Sequence, residues 1–195
     1  NPGDFSVDLN ASDPVWDLTP GDEVMVAHET VSESKTHVVT GVTAGWVSDS
    51  VVAGTADADA DISVWLHEDS SVWRSETATG GVWSTNFAVP GGDPGEENTR
   101  VLVLRDAGAA AECDGDGDCT FANWWVPNPA FMVQRESGDV WGNGWAPETL
   151  VSVVLGDPTS PTASFSVTTD EWGNFGPSES VSSGFGFGLT PGDLV

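Results

Sequence analysis

Basic side chains are scarce in this chain, and long apolar runs are missing. Lysine and arginine number 5 among 195 residues, whereas aspartate and glutamate number 31, so the formal net charge is −26. A surface this acidic repels the phosphates of nucleic acids and of anionic lipids, which excludes nucleic-acid binding as a function. No apolar run approaches the ~18 residues of a membrane-spanning helix, so we expect no membrane insertion.

Helical periodicity is also lacking, because no long window carries the apolar stripe of an amphipathic helix. Only residues 106–112, which include four alanines, are expected to form a helical turn. Short Val- and Thr-rich runs instead alternate in polarity, as in 62–66 and 164–168, between turns rich in the 23 glycines and 12 prolines. With 10 Trp and 8 Phe available for a core, the pattern predicts an all-β fold of packed sandwiches.

Cysteine is limited to Cys113 and Cys119, on either side of a Gly/Asp loop. Their α-carbons can approach to disulfide distance if this loop turns back on itself. Two free thiols in a cytosolic protein are the alternative, but no histidine lies nearby to share a metal, and lysine and arginine are unusually rare. We therefore predict a disulfide and, with it, an extracellular or cell-surface location.

Internal repetition is the most informative feature of the sequence. Leu-Thr-Pro-Gly-Asp occurs at 18–22 and again at 189–193, 171 residues later, and a Gly-x-Phe precedes each copy, at 3–5 and 173–175. A weaker middle copy consists of Gly81-Val82-Trp83 and Pro94-Gly95-Glu96. Two neighbouring segments also correspond, 52–56 to 141–145 and 62–66 to 151–155. The spacing indicates a unit of about 75–100 residues, the size of an immunoglobulin-like sandwich.

These repeats divide the chain into three segments. Residues 1–35 are expected to be the closing strands of a preceding unit, or strands donated to a neighbour; 36–126 are a whole unit, and 127–195 are a unit without its final strand or strands. A rival alignment ranks second, because five identical residues are harder to obtain by chance. It matches Asn1-Pro2 and Val15-Trp16 with Asn128-Pro129 and Val140-Trp141.

The tandem order of strand, Gly-x-aromatic, strand, Pro-Gly-acidic and strand resembles the bacterial extracellular immunoglobulin-like repeats of surface and adhesin-type proteins. The resemblance covers the whole chain, but its motifs have low specificity. It implies a β-sandwich array that builds or spaces a surface structure, and it supplies no catalytic residues. The segment 106–123, which holds the cysteines and the acidic loop, departs from the usual pattern.

Acidic residues at alternate positions are the strongest candidates for a site. Asp114, Asp116 and Asp118, with glycines between them, can converge on a hard cation, so we predict a calcium loop. The loop lacks the later glycine and glutamate of an EF-hand, and a solvated acidic turn is the alternative. Asp57, Asp59 and Asp61 also alternate, and we interpret them as an acidic turn between strands whose role the sequence does not define.

Tryptophan side chains raise the possibility of glycan binding. Trp83 and Trp172 are assigned to the core because they lie at or beside the Gly-x-aromatic position. Possible glycan-facing rings are those of Trp124, Trp125, Trp141 and Trp145. Core or interdomain packing is the alternative for these four residues.

The sequence therefore predicts a non-catalytic structural segment of a secreted fibre, stalk or adhesin. We expect its partners to be neighbouring immunoglobulin-like units or copies of itself, arranged head-to-tail. The rival hypothesis is a carbohydrate-binding module that uses exposed tryptophans. No nucleophile elbow, phosphate loop or zinc-protease motif occurs in the chain.

Overall fold

The computed structural model describes residues 6–7, 17–27, 33–177 and 184–195. The chain divides into two compact units, Asn1–Val126 and Pro127–Val195. Every regular element in the described ranges is a β-strand, which confirms the all-β prediction. The strands are β1 (Glu23–Ala27), β2 (Ser34–Val38), β3 (Gly45–Ser48), β4 (Val51–Thr55), β5 (Asp61–Leu66), β6 (Trp73–Thr77), β7 (Val82–Asn86), β8 (Ala107–Cys113), β9 (Cys119–Trp125), β10 (Ala130–Gln134), β11 (Asp139–Asn143), β12 (Leu150–Asp157) and β13 (Ser160–Thr168).

The first unit contains a sandwich of seven antiparallel strands. One sheet has the order β3-β4-β7 and the other the order β6-β5-β8-β9. This is an immunoglobulin-like arrangement in which the fourth strand pairs with the third instead of the fifth. The predicted boundary between residues 35 and 36 falls inside β2, and the three-segment division stays a prediction.

The core of the first unit lies between its two sheets. Ile62, Val64 and Leu66 of β5 are fully buried, which agrees with the period of two seen in the sequence. The rings of Phe87 and Trp124 stack in the same core, with centroids 5.6 Å apart. Burial of these large side chains supplies the main driving force for folding.

The second unit is built on the same plan but is smaller. It contains the hairpins β10–β11 and β12–β13. Gly142 of β11 pairs with Phe175, as Gly54 of β4 pairs with Trp83 of β7. A Cβ on either glycine would collide with the partner's ring, so the same residue types are required in both units. In its described part, the second unit has no strands that correspond to β8 and β9.

The β1–β2 hairpin has the same backbone bonding as the β8–β9 hairpin. The amide of Val39, just after β2, donates to the Asp22 carbonyl at 2.8 Å. The amide of Val126, just after β9, donates to the Asp106 carbonyl at 2.7 Å. The strand pairing and these closing bonds together make β1–β2 the structural counterpart of the last hairpin of the first unit.

The same four-residue turn precedes both hairpins, at Thr19–Asp22 and Val103–Asp106. In each turn the fourth amide donates to the first carbonyl at 3.0 Å, and the fourth carboxylate accepts from the first amide. The third residue is left-handed in both, with φ of 98° at Gly21 and 75° at Arg105. Thr190–Asp193 forms the same turn again, also with a left-handed glycine in the third position.

The middle copy that the sequence indicated also forms this turn. In Asp93–Glu96 the Glu96 amide donates to the Asp93 carbonyl at 3.1 Å, the Asp93 amide donates to the Glu96 carboxylate at 3.5 Å, and Gly95 has φ of 98°. The turn directly before the hairpin, however, is Val103–Asp106, which has neither Pro nor Gly. The shared features are a leucine before the turn and an aspartate that ends it.

The expected helical turn at 106–112 is wrong. Residues 107–113 form β8, which lies between β5 and β9 in the sheet. Ala109 and Ala110 are buried there at 1% and 0% exposure. Small side chains suit this strand because Trp124 packs over Gly108, where an added Cβ would lie 2.4 Å from the indole ring. Tertiary packing overrides the helical preference of alanine.

The turn glycines give the first testable prediction. Gly21 and Gly192 have φ of 98° and 103°, so valine at either position is strained even though no atom lies within 4 Å of its Cβ. We expect Gly21→Val and Gly192→Val each to reduce the free energy of unfolding by about 1–3 kcal/mol. Gly92→Val is the matched control, because Gly92 is exposed, has no left-handed φ and also has open space around it. Equal melting temperatures in all three variants would contradict the turn assignment.

Candidate functional site

The acidic loop is the tip of the β8–β9 hairpin, closed by a disulfide. Cys113 and Cys119 are bonded, with their α-carbons 4.1 Å apart, which confirms the predicted pair. Inside the loop, Asp114 Oδ1 accepts hydrogen bonds from the amides of Asp116 and Asp118 at 3.2 and 3.0 Å. Covalent closure and these bonds hold the loop in one tight conformation.

The three aspartates of the loop converge as the sequence predicted. Asp114, Asp116 and Asp118 each offer a carboxylate oxygen, and these oxygens lie within 4.8 Å of one another. In addition, Asp118 Oδ2 is buried and has no hydrogen-bond partner within the described part of the chain. A group of oxygen ligands with an unpartnered atom is able to hold a metal ion.

Side chains of β2 contact this loop, a feature that the sequence did not reveal. Lys35 Nζ lies 3.0 Å from Asp118 Oδ1 and 3.5 Å from Asp116 Oδ2. His37 Nδ1 lies 3.0 Å from Asp114 Oδ2, and its Nε2 lies 2.8 Å from Thr120 Oγ1. About 80 residues separate these partners, and no local pattern marks such a long-range pair.

The close approach of the carboxylates in the loop shifts the pKa values of Asp114 and Asp116. Hydrogen bonds from Asp116 and His37 lower the pKa of Asp114. A side-chain hydrogen bond with Asp114 raises the pKa of Asp116, and desolvation and the neighbouring negative charges act in the same direction. The hydrogen bond to Asp118 raises the pKa of Lys35, so its ammonium stays charged while it neutralises part of this repulsion.

An apolar groove lies beside the loop, along one face of the β1–β2 hairpin. Its volume is about 1410 Å³, and its apolar lining includes Leu18, Val24, Val26 and Val39 from the hairpin segment and Phe121 from β9. Val26 is 46% exposed and Phe121 is 62% exposed. The corresponding face of β8–β9 lies in the core of the first unit, so this groove is a core-type surface that no element within the described ranges covers.

Of the four tryptophans considered for glycan binding, Trp124 lies in the core, whereas a glycan-facing role of Trp125, Trp141 and Trp145 stays a prediction. Trp124 is 1% exposed and stacks on Phe87, so it has no free face for a sugar ring. Trp145 packs near Phe175, with centroids 6.1 Å apart. Trp125 and Trp141 are half-buried. Trp172, assigned to the core from the sequence, is instead 67% exposed.

The second run of alternating aspartates forms a turn between β4 and β5. The amide of Ala60 donates to the Asp57 carbonyl at 3.1 Å, and Asp59 has φ of 65°. Asp61 begins β5, where its carboxylate accepts from Thr77 at 3.4 Å. These contacts agree with an acidic turn between strands.

Comparisons with known proteins give little guidance. No protein-family model and no curated protein matches the chain. Among solved structures, the chain is similar to a tetra-tandem repeat in the extending region of a large adhesion protein, with 11% identity and a TM-score of 0.32. That alignment covers 75% of this chain and 42% of the other. A likeness at this level carries no argument about function.

No helix in the described part of the chain is long and apolar enough to span a bilayer.

The turn before β8 gives a prediction about acid stability. Asp106 accepts hydrogen bonds from Arg100 at 2.6 and 3.0 Å and from the Val103 amide at 3.0 Å. The Arg100 guanidinium lowers the pKa of Asp106, so its contribution is complete above the unfolded value near pH ~3.9 and is lost as the pH falls through the lower folded pKa. Asp106→Asn should therefore cost about 2 kcal/mol near neutrality.

Urea denaturation of both proteins across a pH series measures this effect. The difference in free energy of unfolding between wild type and Asp106→Asn should stay constant from about pH 5 to 8 and shrink below about pH 4. Asp193→Asn is the control, because Asp193 occupies the same turn position but is exposed. A difference that is independent of pH would contradict the role of the ion pair.

Proposed function

We propose that the chain is a non-catalytic structural segment of a secreted tandem array, whose immunoglobulin-like units build or extend a cell-surface fibre, stalk or adhesin. One observation supports the proposal: the turn at 19–22, the five strand pairs of 23–27 with 34–38 and the bonds that close this hairpin repeat those of the turn at 103–106 and the β8–β9 hairpin. The same turn recurs at 190–193, as a tandem plan requires. Folded units in series give reach and stiffness without chemistry.

An extracellular location forms part of this proposal. The Cys113–Cys119 disulfide is of a kind that persists in oxidising compartments and is rare in the cytosol. The net charge of −26 favours solubility and mutual repulsion of neighbouring surfaces. Both features suit a long structure that is exposed to the medium.

Immunogold electron microscopy on intact source cells tests the proposed function. Antibodies raised against the chain should label surface appendages on cells that have not been permeabilised, with many gold particles along each appendage. Labelling that appears only after permeabilisation would contradict the surface role.

The acidic loop is proposed to bind calcium within this array. Asp114, Asp116 and Asp118 provide carboxylates, and the unpartnered Asp118 Oδ2 leaves one oxygen available. Calcium accepts six to eight oxygens in flexible geometry, whereas magnesium demands a near-octahedral set. The loop is exposed on its outer side, so water can complete the ligands.

Calorimetry with chelator, calcium and magnesium provides the test. Calcium should raise the melting temperature, by an amount equivalent to about 2.7 kcal/mol at a hundredfold excess over the dissociation constant, and magnesium should do less. Asp116→Asn should weaken the effect. Lys35→Gln should strengthen it, because the Lys35 ammonium competes for the same carboxylates. Identical melting temperatures in chelator and in several millimolar calcium would contradict calcium binding and would support the alternative of a solvated acidic turn.

A further inference from the structure

The second unit has an open sheet edge at β12. In the first unit, β5 pairs with β6 on one side and with β8 on the other. In the described part of the second unit, β12 pairs with β13 as its only strand neighbour. Val64 of β5 is fully buried, whereas its counterpart Val153 of β12 is only half-buried. One edge of β12 therefore has backbone donors and acceptors that a further strand can pair with, and such a strand would also cover Val153.

The β1–β2 hairpin resembles the strands that are missing from the described part of the second unit, but its own apolar face is open. Its turn and closing bonds match those of β8–β9, yet its apolar face borders an open groove. Val24 and Val26 occupy the positions of Gly108 and Ala110, which face the core of the first unit. The edge of β5 that would receive such a hairpin is already paired with β8. The hairpin therefore has no matching acceptor in its own unit.

We propose that the β1–β2 hairpin of a second copy of this chain completes the second unit, lying against β12 as β8–β9 lies against β5. The proposal rests on the array function and deepens it by naming the partner and the contact. Transfer of the β5–β8 register places Val26 opposite Val153 and Val24 opposite Leu155. The contact is a form of β-strand addition, in which backbone bonds give affinity and alternate side chains give specificity.

The geometry of the first unit favours a second copy as the donor. Lys35 and His37 hold the hairpin beside the tip of β8–β9. Residue 127, which starts the second unit, follows the opposite end of β9, whose seven residues span roughly 20 Å. The hairpin is thus held at one end of β9, whereas the chain leaves the first unit at the other end, and we take this as favouring a donor from another copy.

One segment of the acceptor competes for this position. The Gly156 amide donates to the Leu194 carbonyl at 2.7 Å, as the His67 amide donates to the Ala107 carbonyl at 2.9 Å in the first unit. Leu194 thus lies where the first residue of the missing strand belongs, but its side chain is 65% exposed. The incoming hairpin replaces Leu194 and Val195, so deletion of these two residues should increase the association.

Cysteine cross-linking tests the contact and its register together. The natural cysteines are both in the disulfide, so Val26→Cys and Val153→Cys each introduce a single thiol. Opposed residues on antiparallel strands lie about 4.5–5.5 Å apart, which is within disulfide range. An equimolar mixture of the two full-length variants under mild oxidation should give a covalent dimer in several-fold higher yield than either variant alone.

Met25→Cys mixed with Val153→Cys is the matched control, because Met25 lies on the other face of β1. Its yield should stay at background, and deletion of Leu194 and Val195 should raise the Val26–Val153 yield. Equal yields at positions 25 and 26, or no dimer above background, would overturn the proposal. Surface labelling together with a failed cross-link leaves the array function intact, whereas a specific cross-link with only intracellular labelling overturns the array function alone.

Discussion

Pairing of the central strand on both sides is the constraint on which the sandwich depends. β5 has hydrogen-bonded neighbours on both edges, and its inward side chains Ile62, Val64 and Leu66 have no exposure. Removing one neighbour would expose backbone donors and acceptors and uncover one side of the core. In the described part of the second unit, β12 has a strand neighbour on one side only, and its inward Val153 is half-buried. The strand plan and the open surfaces follow from this one requirement.

Three of the five basic residues make contacts that connect separate parts of the fold. Arg74 is 1% exposed and donates to the carbonyls of Val89 and Asn98, which ties a long loop to β6. Arg100 fixes the turn that starts β8 through Asp106. Lys35 joins the β1–β2 hairpin to the acidic loop. In a chain with net charge −26, each cation relieves repulsion locally, so most of the surface stays negative.

Local signals were sufficient to predict part of this structure. Alternation in β5, the left-handed glycines of the turns and the spacing of Cys113 and Cys119 are all set within a few residues. The turn at Val103–Asp106 escaped prediction because Arg105 takes the left-handed position that glycine marks elsewhere. The alanines of β8 suggested a helix because their burial depends on pairing of β8 with β5 and β9, which no local pattern shows. The contacts of Lys35 and His37 with the loop likewise depend on tertiary folding.

The two hairpins share a backbone arrangement but differ in the size of the side chains on their core-type faces. In β8–β9, Gly108 pairs with Trp124, and the indole fills the space above the glycine. In β1–β2, the corresponding pair is Val24 and His37. A valine in place of Gly108 would collide with the Trp124 ring, so each hairpin suits its own kind of unit. In the contact that we propose, β1–β2 therefore lies against β12 rather than β5, and such a heterologous contact can repeat without closing.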